Sequence, residues 1–318
     1  MKNSLLVGML LFATASSGQP YPNKPIRLVV PFAPGGSSTI VARSVASEME
    51  KALGQSIVIE NKGGGGGNPA MQDVARADPD GYTLLITHIG SLALNPYLYS
   101  SLPFDVNRDF VHISLLAKVP NIFVVHESVP AKDAREFVAL AKKEPGRFYY
   151  GSAGNGSAGH LAMEYFKLVS GIQLQHVPYK GTGPNLVDLV AGRTHATSAG
   201  TPPLMPHVKA GKLRVIGVGS PKRLLTIPDA PTIAEQGFAG FETSQWYGLS
   251  APAKTPPAVI QRLAVEAARA AKSPAVVERY KADDAEAVGS TPQEYADFVA
   301  KEQARWKDVI QRANIKID

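Results

Sequence analysis

Two short runs of glycine and hydroxyl residues are the parts of this sequence best suited to chemistry. Ala33-Pro34-Gly35-Gly36-Ser37-Ser38-Thr39 and Gly151-Ser152-Ala153-Gly154-Asn155-Gly156-Ser157 each follow a strand-like apolar run and precede a helix-like one. The start of a helix carries about four backbone N–H groups without partners and roughly half a positive charge. A glycine-rich approach lets an anion come close to those groups. The hydroxyls of Ser37, Ser38, Thr39, Ser152 and Ser157 would add donors. Two such turns facing one another could hold one anion, or the two ends of a small dianion. Glycines also serve simply to make tight turns, and one run alone would imply no more than that. The second, equivalent run favours binding.

Other chemistry fits these residues less well. Gly154-x-Gly156-x-x-Gly159 matches a dinucleotide-binding fingerprint after a strand. That motif needs an acidic residue about 20 positions on, and Leu174 to Lys180 contains none. Asn155-Gly156-Ser157-Ala158-Gly159 approaches a nucleophile elbow, with Asn where the first Gly belongs. Asp188 and then His195 or His207 supply the chain order of a secreted α/β serine hydrolase, which stands as the alternative function. The seven histidines are scattered without metal-ligand spacing, so no metal and no cofactor are expected. His88 and His160 fall near element ends beside the turns and are candidates for ligand contact.

The elements that must position these turns alternate. Pro25 to Pro31, Ser56 to Glu60 and Tyr82 to Thr87 read as strands. Ile40, Val41, Val45 and Met49 recur at helical spacing, with Gly54 as the stop. Gly63 to Gly67 reads as a flexible loop. A second unit begins near residue 121, with strands expected at 147–150, 176–179 and 213–217, and helices at 134–142, 158–169 and 186–190. Such alternation implies parallel sheet covered by helices on both faces. In the C-terminal third, Thr255-Pro256, Ser273-Pro274 and Thr291-Pro292 read as helix caps, with Glu294 completing a capping box. Tyr295, Phe298, Val299, Glu302, Trp306, Val309 and Ile310 then mark a packing face.

Composition bounds the rest. Of 318 residues, 44% are hydrophobic and 19% charged, which argues for an ordered globular chain of about two domains. Glycine (29) and proline (25) sit in discrete turns and not in a repeat, which excludes a fibrous protein. With no cysteine, disulfides, thiolate sites and a lipidated N-terminal cysteine are excluded. Lys2, the apolar run Leu5 to Ala13 and the small residues Ala13-Thr14-Ala15 have the layout of a secretory leader over residues 1–15, cleaved near 15–20. The expected destination is the periplasm of a double-membrane bacterium. The net charge of +6 is spread along the chain, so no nucleic-acid partner is expected and a mild attraction for anions is.

Tyr21-Pro22-x-Lys24-Pro25-Ile26-Arg27-Leu28-Val29-Val30-Pro31-Phe32 followed by Pro34-Gly35-Gly36 resembles the opening of the substrate-binding proteins of tripartite tricarboxylate transporters, the Bug family. The likeness continues through Asp80-Gly81-Tyr82-Thr83, Asn95-Pro96 and Ser152 to Ser157 with His160. It extends to His176-Val177-Pro178-Tyr179-Lys180-Gly181 and Pro206-His207-Val208-Lys209, which places it along essentially all of the mature chain. The resemblance implies an α/β periplasmic binding protein of type II, with two lobes, a hinge and a ligand cleft between the lobes. Lobe one would hold residues 22–120 and 241–318, and lobe two residues 121–240. It implies a small organic acid as ligand, a membrane permease (or a sensor) as partner, a monomer, and no enzymatic activity. The implied contacts are Phe32, Pro34, Gly35, Gly36, Ser37, Ser38, Thr39, His88, Ser91, Ser152, Ala153, Gly154, Asn155, Gly156, Ser157, His160, Tyr179 and Ala199.

The sequence departs from the family pattern at Thr39 and Ala199, where members often carry Asp, and in the all-glycine run 63–67. Loss of two acids removes partners for an ammonium group. The expectation is a purely anionic or partly apolar acid, in preference to an amino acid.

Overall fold

The structure, a computed structural model, describes residues 21–313. The leader expected at residues 1–15 lies outside the described residues. Strand β1 (Ile26–Val30), helix α1 (Ser37–Leu53), strand β2 (Ile57–Asn61), helix α2 (Asn68–Ala75) and strand β3 (Thr83–His88) form the expected β-α-β-α-β unit. β1 lies between β2 and β3, parallel to both. Successive residues of a strand point to opposite faces, and both faces here are covered. Leu28 and Val30 pack with Val41, Val45 and Met49 of α1, whereas Val29 and Leu85 pack with Met71 and Val74 of α2. Gly54 ends α1 at φ 68°, a conformation glycine adopts without steric cost.

After β3 come a wide helical turn over Gly90–Leu94 and the short helix α3 (Asn95–Leu98). Strand β4 (Phe110–His126) then runs 17 residues and belongs to both halves of the molecule. From Phe110 to Pro120 it pairs antiparallel with β9 (Ser244–Pro252). From Asn121 onward it pairs with β7 (Ala196–Gly200) and β8 (Leu213–Val218). Between these come α4 (Ala134–Lys143), β5 (Tyr149–Ser152), α5 (Ala158–Ser170), β6 (Gln175–Pro178), α6 (Thr182–Val190) and α7 (Thr201–Lys209). β5 pairs parallel with β6 and β7. The second half is covered on both faces as the first is: Phe123 and Val125 enter one core, Ile122 and Val124 the other. The result is two α/β lobes joined through β4 and the return into β9, a type II architecture.

Helices α8 (Pro257–Ala271) and α9 (Pro274–Lys281), strand β10 (Glu286–Ala287) and helix α10 (Pro292–Ala313) return to the first lobe, where β10 pairs with β4. Tyr295, Val299, Trp306 and Ile310 of α10 are buried in that lobe's core, as the stripe implies. Ser273 caps α9, and Thr291 and Glu294 exchange the two bonds of a capping box. The cap expected at Thr255 is absent. Its hydroxyl donates to the Pro252 carbonyl, and α8 starts one residue later than expected, with Pro256 as its N-cap. The strand expected at 147–150 forms two residues later, at Tyr149–Ser152. The Gly63–Gly67 run is a structured turn and not a loose loop. Gly64 to Gly67 all have positive φ, and Gly66 packs on the Asn155 carbonyl. Among the described residues no helix is long and apolar enough to cross a membrane.

Candidate ligand-binding site

The two glycine-rich turns face one another across the cleft between the lobes. Helix α1 begins directly after the first turn, with Gly36 as its N-cap and no side chain capping it. Helix α5 begins directly after the second, with Ser157 as its N-cap. A third start, that of α6, joins them through Gly181 and Thr182, again with no side-chain cap. Between the three lies a small cavity. Ser37 and Ser38 of α1, Ala158 and Gly159 of α5, and Thr182 and Asn185 of α6 line it. Ser37, Ser38, Ala158, Gly159 and Thr182 are first-turn positions, whose N–H groups have no carbonyl of their own helix to bond, whereas the Asn185 amide donates to the Gly181 carbonyl. Three helix starts therefore converge on one small volume, each adding a partial positive charge.

The lobes are closed on this cavity. The Ala33 amide donates to the Lys180 carbonyl at 2.9 Å. A Cβ on Gly35 would stand 3.1 Å from Gly183 Cα, and one on Gly183 would overlap the Pro34 carbonyl. On the other side of the cavity Tyr99 Oη donates to the Asn155 carbonyl at 3.1 Å. Away from both seams, the Asp284 carboxylate accepts from the Leu225 and Thr226 amides and from the Thr226 hydroxyl.

Seven of the residues singled out from the sequence line the cavity: Phe32, Ser37, Ser38, His88, Ala153, Ser157 and Ala199. The others stand behind it or at its seams. Pro34, Gly35 and Gly36 meet Thr182 and Gly183 across the lobe contact. Thr39 Oγ1 accepts from Asn61 Nδ2 at 2.8 Å. Ser91 bonds both backbone groups of His88, and Tyr179 donates to Asp188 at 2.7 Å. Ser152, Gly154, Asn155, Gly156 and His160 form the frame of the second turn. Ser152 Oγ accepts from the Gly154 amide at 3.0 Å and lies 2.7 Å from His176 Nε2. The Gly156 amide donates to His160 Nδ1 at 3.3 Å, and the His160 amide donates to Ser157 Oγ at 3.3 Å.

Seven lining residues have no counterpart among the expected contacts: Ala158, Gly159, Thr182, Asn185, Ser198, Gln245 and Tyr247. Ser198 lies on β7, whose sequence Ala-Thr-Ser-Ala-Gly is built of small residues with little strand preference. Thr182 belongs to a helix that starts four residues earlier than its apolar pattern suggests, because Pro184 fits a first helical turn. Gln245 and Tyr247 alternate on β9, whose apolar content could have revealed a strand. Ala158 is the first residue of α5.

Among the described residues no Lys, Arg, Asp or Glu side chain lines the cavity. Its polar groups are neutral. Burial lowers the His88 pKa to about 3, and burial raises that of the Tyr247 phenol. Tyr247 donates to Gln245 Oε1, and Gln245 Nε2 donates to Asn121 Oδ1 at 2.6 Å. His88 Nε2 and Ser198 Oγ are buried and meet no hydrogen-bond partner among the described residues. Burial also lowers His160 to about 4 and, with its neighbour His160, His176 to about 3. An array of oriented N–H groups and hydroxyls without a formal countercharge suits an anion of low charge.

Two residues proposed for the alternative hydrolase, Asp188 and His195, bond elsewhere. Asp188 accepts from Tyr179 and Arg193, whereas His195 Nδ1 accepts from the Tyr149 amide at 3.0 Å. Among the described residues no cluster of three or more His, Asp or Glu is placed to hold a metal ion.

The model of the tripartite tricarboxylate transporter family receptor matches residues 41–315. The chain belongs to this receptor family. BugT of Bordetella pertussis is 34% identical over 323 residues, covering 100% of this chain and 99% of its own. An R. palustris protein solved with adipate superposes at a TM-score of 0.90 with 36% identity, covering 93% of this chain and all of the other. MatC from Rhodopseudomonas palustris, solved with bound malate, superposes at 0.87 with 32% identity, covering 91% of this receptor and all of MatC.

Proposed function

We propose that this receptor captures a small organic carboxylate in the periplasm and delivers it, as a monomer, to the membrane permease of a tripartite transporter. The observation that carries the proposal is the convergence of the α1, α5 and α6 starts on one cavity without charged side chains. A carboxylate accepts about four hydrogen bonds and favours the positive end of a helix dipole. The ligands of the adipate-bound and malate-bound relatives are of this class.

The mechanism needs no bond chemistry. The lobes divide where β4 changes partner, at Pro120–Asn121, and where the chain re-enters the first lobe at Ser244. They rotate about these two crossings and close on the ligand. Only the closed form offers donors from α1 together with α5 and α6, so the ligand favours it. Each hydrogen bond to the charged group contributes roughly 1.5–3 kcal/mol net. A few of them, less the cost of association, give micromolar affinity, about −8 kcal/mol. The closed pair of lobes is the surface the permease recognises.

Ala199 lines the cavity and Thr39 is held by Asn61, so neither position supplies a carboxylate for an ammonium group. The receptor therefore prefers a simple acid over the corresponding amino acid. A thermal-shift screen of the mature protein against mono-, di-, tri- and aromatic carboxylates tests the function. Stabilisation by a subset of acids is expected, and an amino acid binding tighter than its deaminated counterpart would reject the preference.

A further inference from the structure

The geometry points to Gly63 and Gly66 as a backbone stop that sets how closely the lobes approach, and so the width of the gap between the start of α1 and the starts of α5 and α6. This rests on the proposed capture of a carboxylate and adds to it what fixes the closed geometry.

The run Gly63–Gly67 follows β2 in the first lobe and meets the second lobe at two points. A Cβ on Gly63 would stand 2.4 Å from the Lys180 carbonyl oxygen and 2.6 Å from the Ala33 amide nitrogen. That amide donates to that carbonyl across the lobes at 2.9 Å, so Gly63 lies against the bond itself. A Cβ on Gly66 would stand 2.1 Å from the Asn155 carbonyl oxygen. Such distances lie far inside the van der Waals separation of roughly 3.5 Å. Lys180 directly precedes Gly181, the N-cap of α6, and Asn155 lies just before Ser157, the N-cap of α5. The run therefore bears on the two segments that lead into the helix starts of the second lobe.

A stop must be stiff, and this one is held by its own lobe. The Lys62 amide donates to the Val30 carbonyl at 2.8 Å, and the Gly67 amide to the Gly64 carbonyl at 2.9 Å. Asn95 Nδ2 donates to the Gly66 carbonyl at 3.2 Å and to Asn68 Oδ1 at 2.8 Å. Elsewhere the run has room. A Cβ on Gly64 would meet nothing within 4 Å, and one on Gly65 would meet the Pro69 ring at 3.3 Å. The contact with the other lobe thus falls on Gly63 and Gly66. Backbone packed on backbone has no rotamer to move aside, so a side chain added at either position must hold the lobes apart.

Gly65 and Gly66 both have left-handed φ, 50° and 61°, which asparagine tolerates better than most residues. Gly65→Asn and Gly66→Asn therefore impose a similar backbone cost, and only the second meets the other lobe. The chain has no cysteine, so Val58→Cys on β2 and Val187→Cys on α6, exposed and in opposite lobes, take spin labels alone. Affinity by calorimetry and label-to-label distance by pulsed electron paramagnetic resonance are measured with butyrate, succinate, adipate and benzoate. Gly66→Asn should bind the acids that the parent protein binds about tenfold or more weakly. At saturation it should also hold the labels farther apart. Gly65→Asn should stay within about threefold of the parent, at the parent distance. Gly63→Ala, where φ is not left-handed, should act as Gly66→Asn does and supplies a second variant. Equal affinities and distances in the two asparagine variants overturn the proposal and leave carboxylate capture standing. A weaker Gly66→Asn at an unchanged distance also overturns it, because Gly66 would then act on the acid and not on the gap. Failure of all four acids to bind the parent protein counts against both.

Discussion

The two strand–turn–helix units make similar cradles by different means. The first, at residues 33–39, has a glycine cap and no side chain bonded to its helix start. Across the cleft it meets Lys180, Thr182 and Gly183 of the opposite lobe, and within its own lobe Asn61 bonds Thr39 and the Phe32 carbonyl. The second, at residues 151–157, is braced from within its own lobe by Ser152, Ser157, His160 and His176. Both turns touch the opposite lobe, the second through Tyr99 and Gly66 at Asn155, but the second alone has a side chain of its own helix bonded to the helix start. A binding protein gains from both features. A start capped by its own helix gives the anion a place to land, and contacts across the cleft couple binding to hinge motion.

The sharpest way to break this comparison is to add one side chain to each unit. Gly183 faces the other lobe, where its Cβ would overlap the Pro34 carbonyl. Gly183→Val should weaken ligand binding by about 100-fold or more by preventing closure, with a melting temperature within a few degrees of wild type. Gly159 faces the Ser198 carbonyl in its own lobe. Gly159→Ala should instead lower the melting temperature itself, by roughly 4 °C or more. Equal melting temperatures for the two variants would contradict the comparison.

Acid should act on the second unit through His160 and His176, which bond its turn residues. His160 titrates at about 4 and His176 at about 3 in the folded protein, below the 6.5 of the unfolded chain. The unfolded state then binds more protons below pH 6.5, so stability is full above that pH and falls as pH drops towards 4. Each histidine contributes at most about 1.4 kcal/mol per pH unit. Protonating His160 Nδ1 also removes the acceptor of the Gly156 amide. His160→Gln should flatten the denaturation free energy between pH 6.5 and 4, and an unaltered slope would show that His160 carries no part of it.

Smaller effects sharpen the same picture. Ser157→Ala removes a side-chain cap and should cost about 1 kcal/mol by chemical denaturation, with some loss of affinity. Thr291→Ala removes half of the α10 capping box, far from both turns. It should cost a similar roughly 1 kcal/mol or less while leaving ligand affinity unchanged.

Much of this arrangement was legible because it depends on local chemistry. The β1 run Ile-Arg-Leu-Val-Val, the glycine stop at Gly54 and the hydroxyls at Ser273 and Thr291 each state their role within a few residues. The two turns declared themselves through glycine and serine, and they do face one another. The rest depends on partners distant in sequence. β7 becomes a strand because β4 and β5 flank it, not because Ala-Thr-Ser-Ala-Gly prefers extension. Thr39 stands beside the glycines, and its bond from Asn61 of β2 is not visible in the local sequence. The glycine run at 63–67 looked flexible because its composition is permissive. Its packing on Asn155 is set by the other lobe, which local sequence does not reveal.

The charge of the bound group is what the converging helix starts recognise in the proposed function. Calorimetry of the tightest-binding acid against its primary amide, on the unmodified mature protein, isolates that charge while keeping size nearly constant. Helix starts arranged around an anion predict that the amide binds about 100-fold or more weakly than the acid. Equal affinity for the two would contradict it.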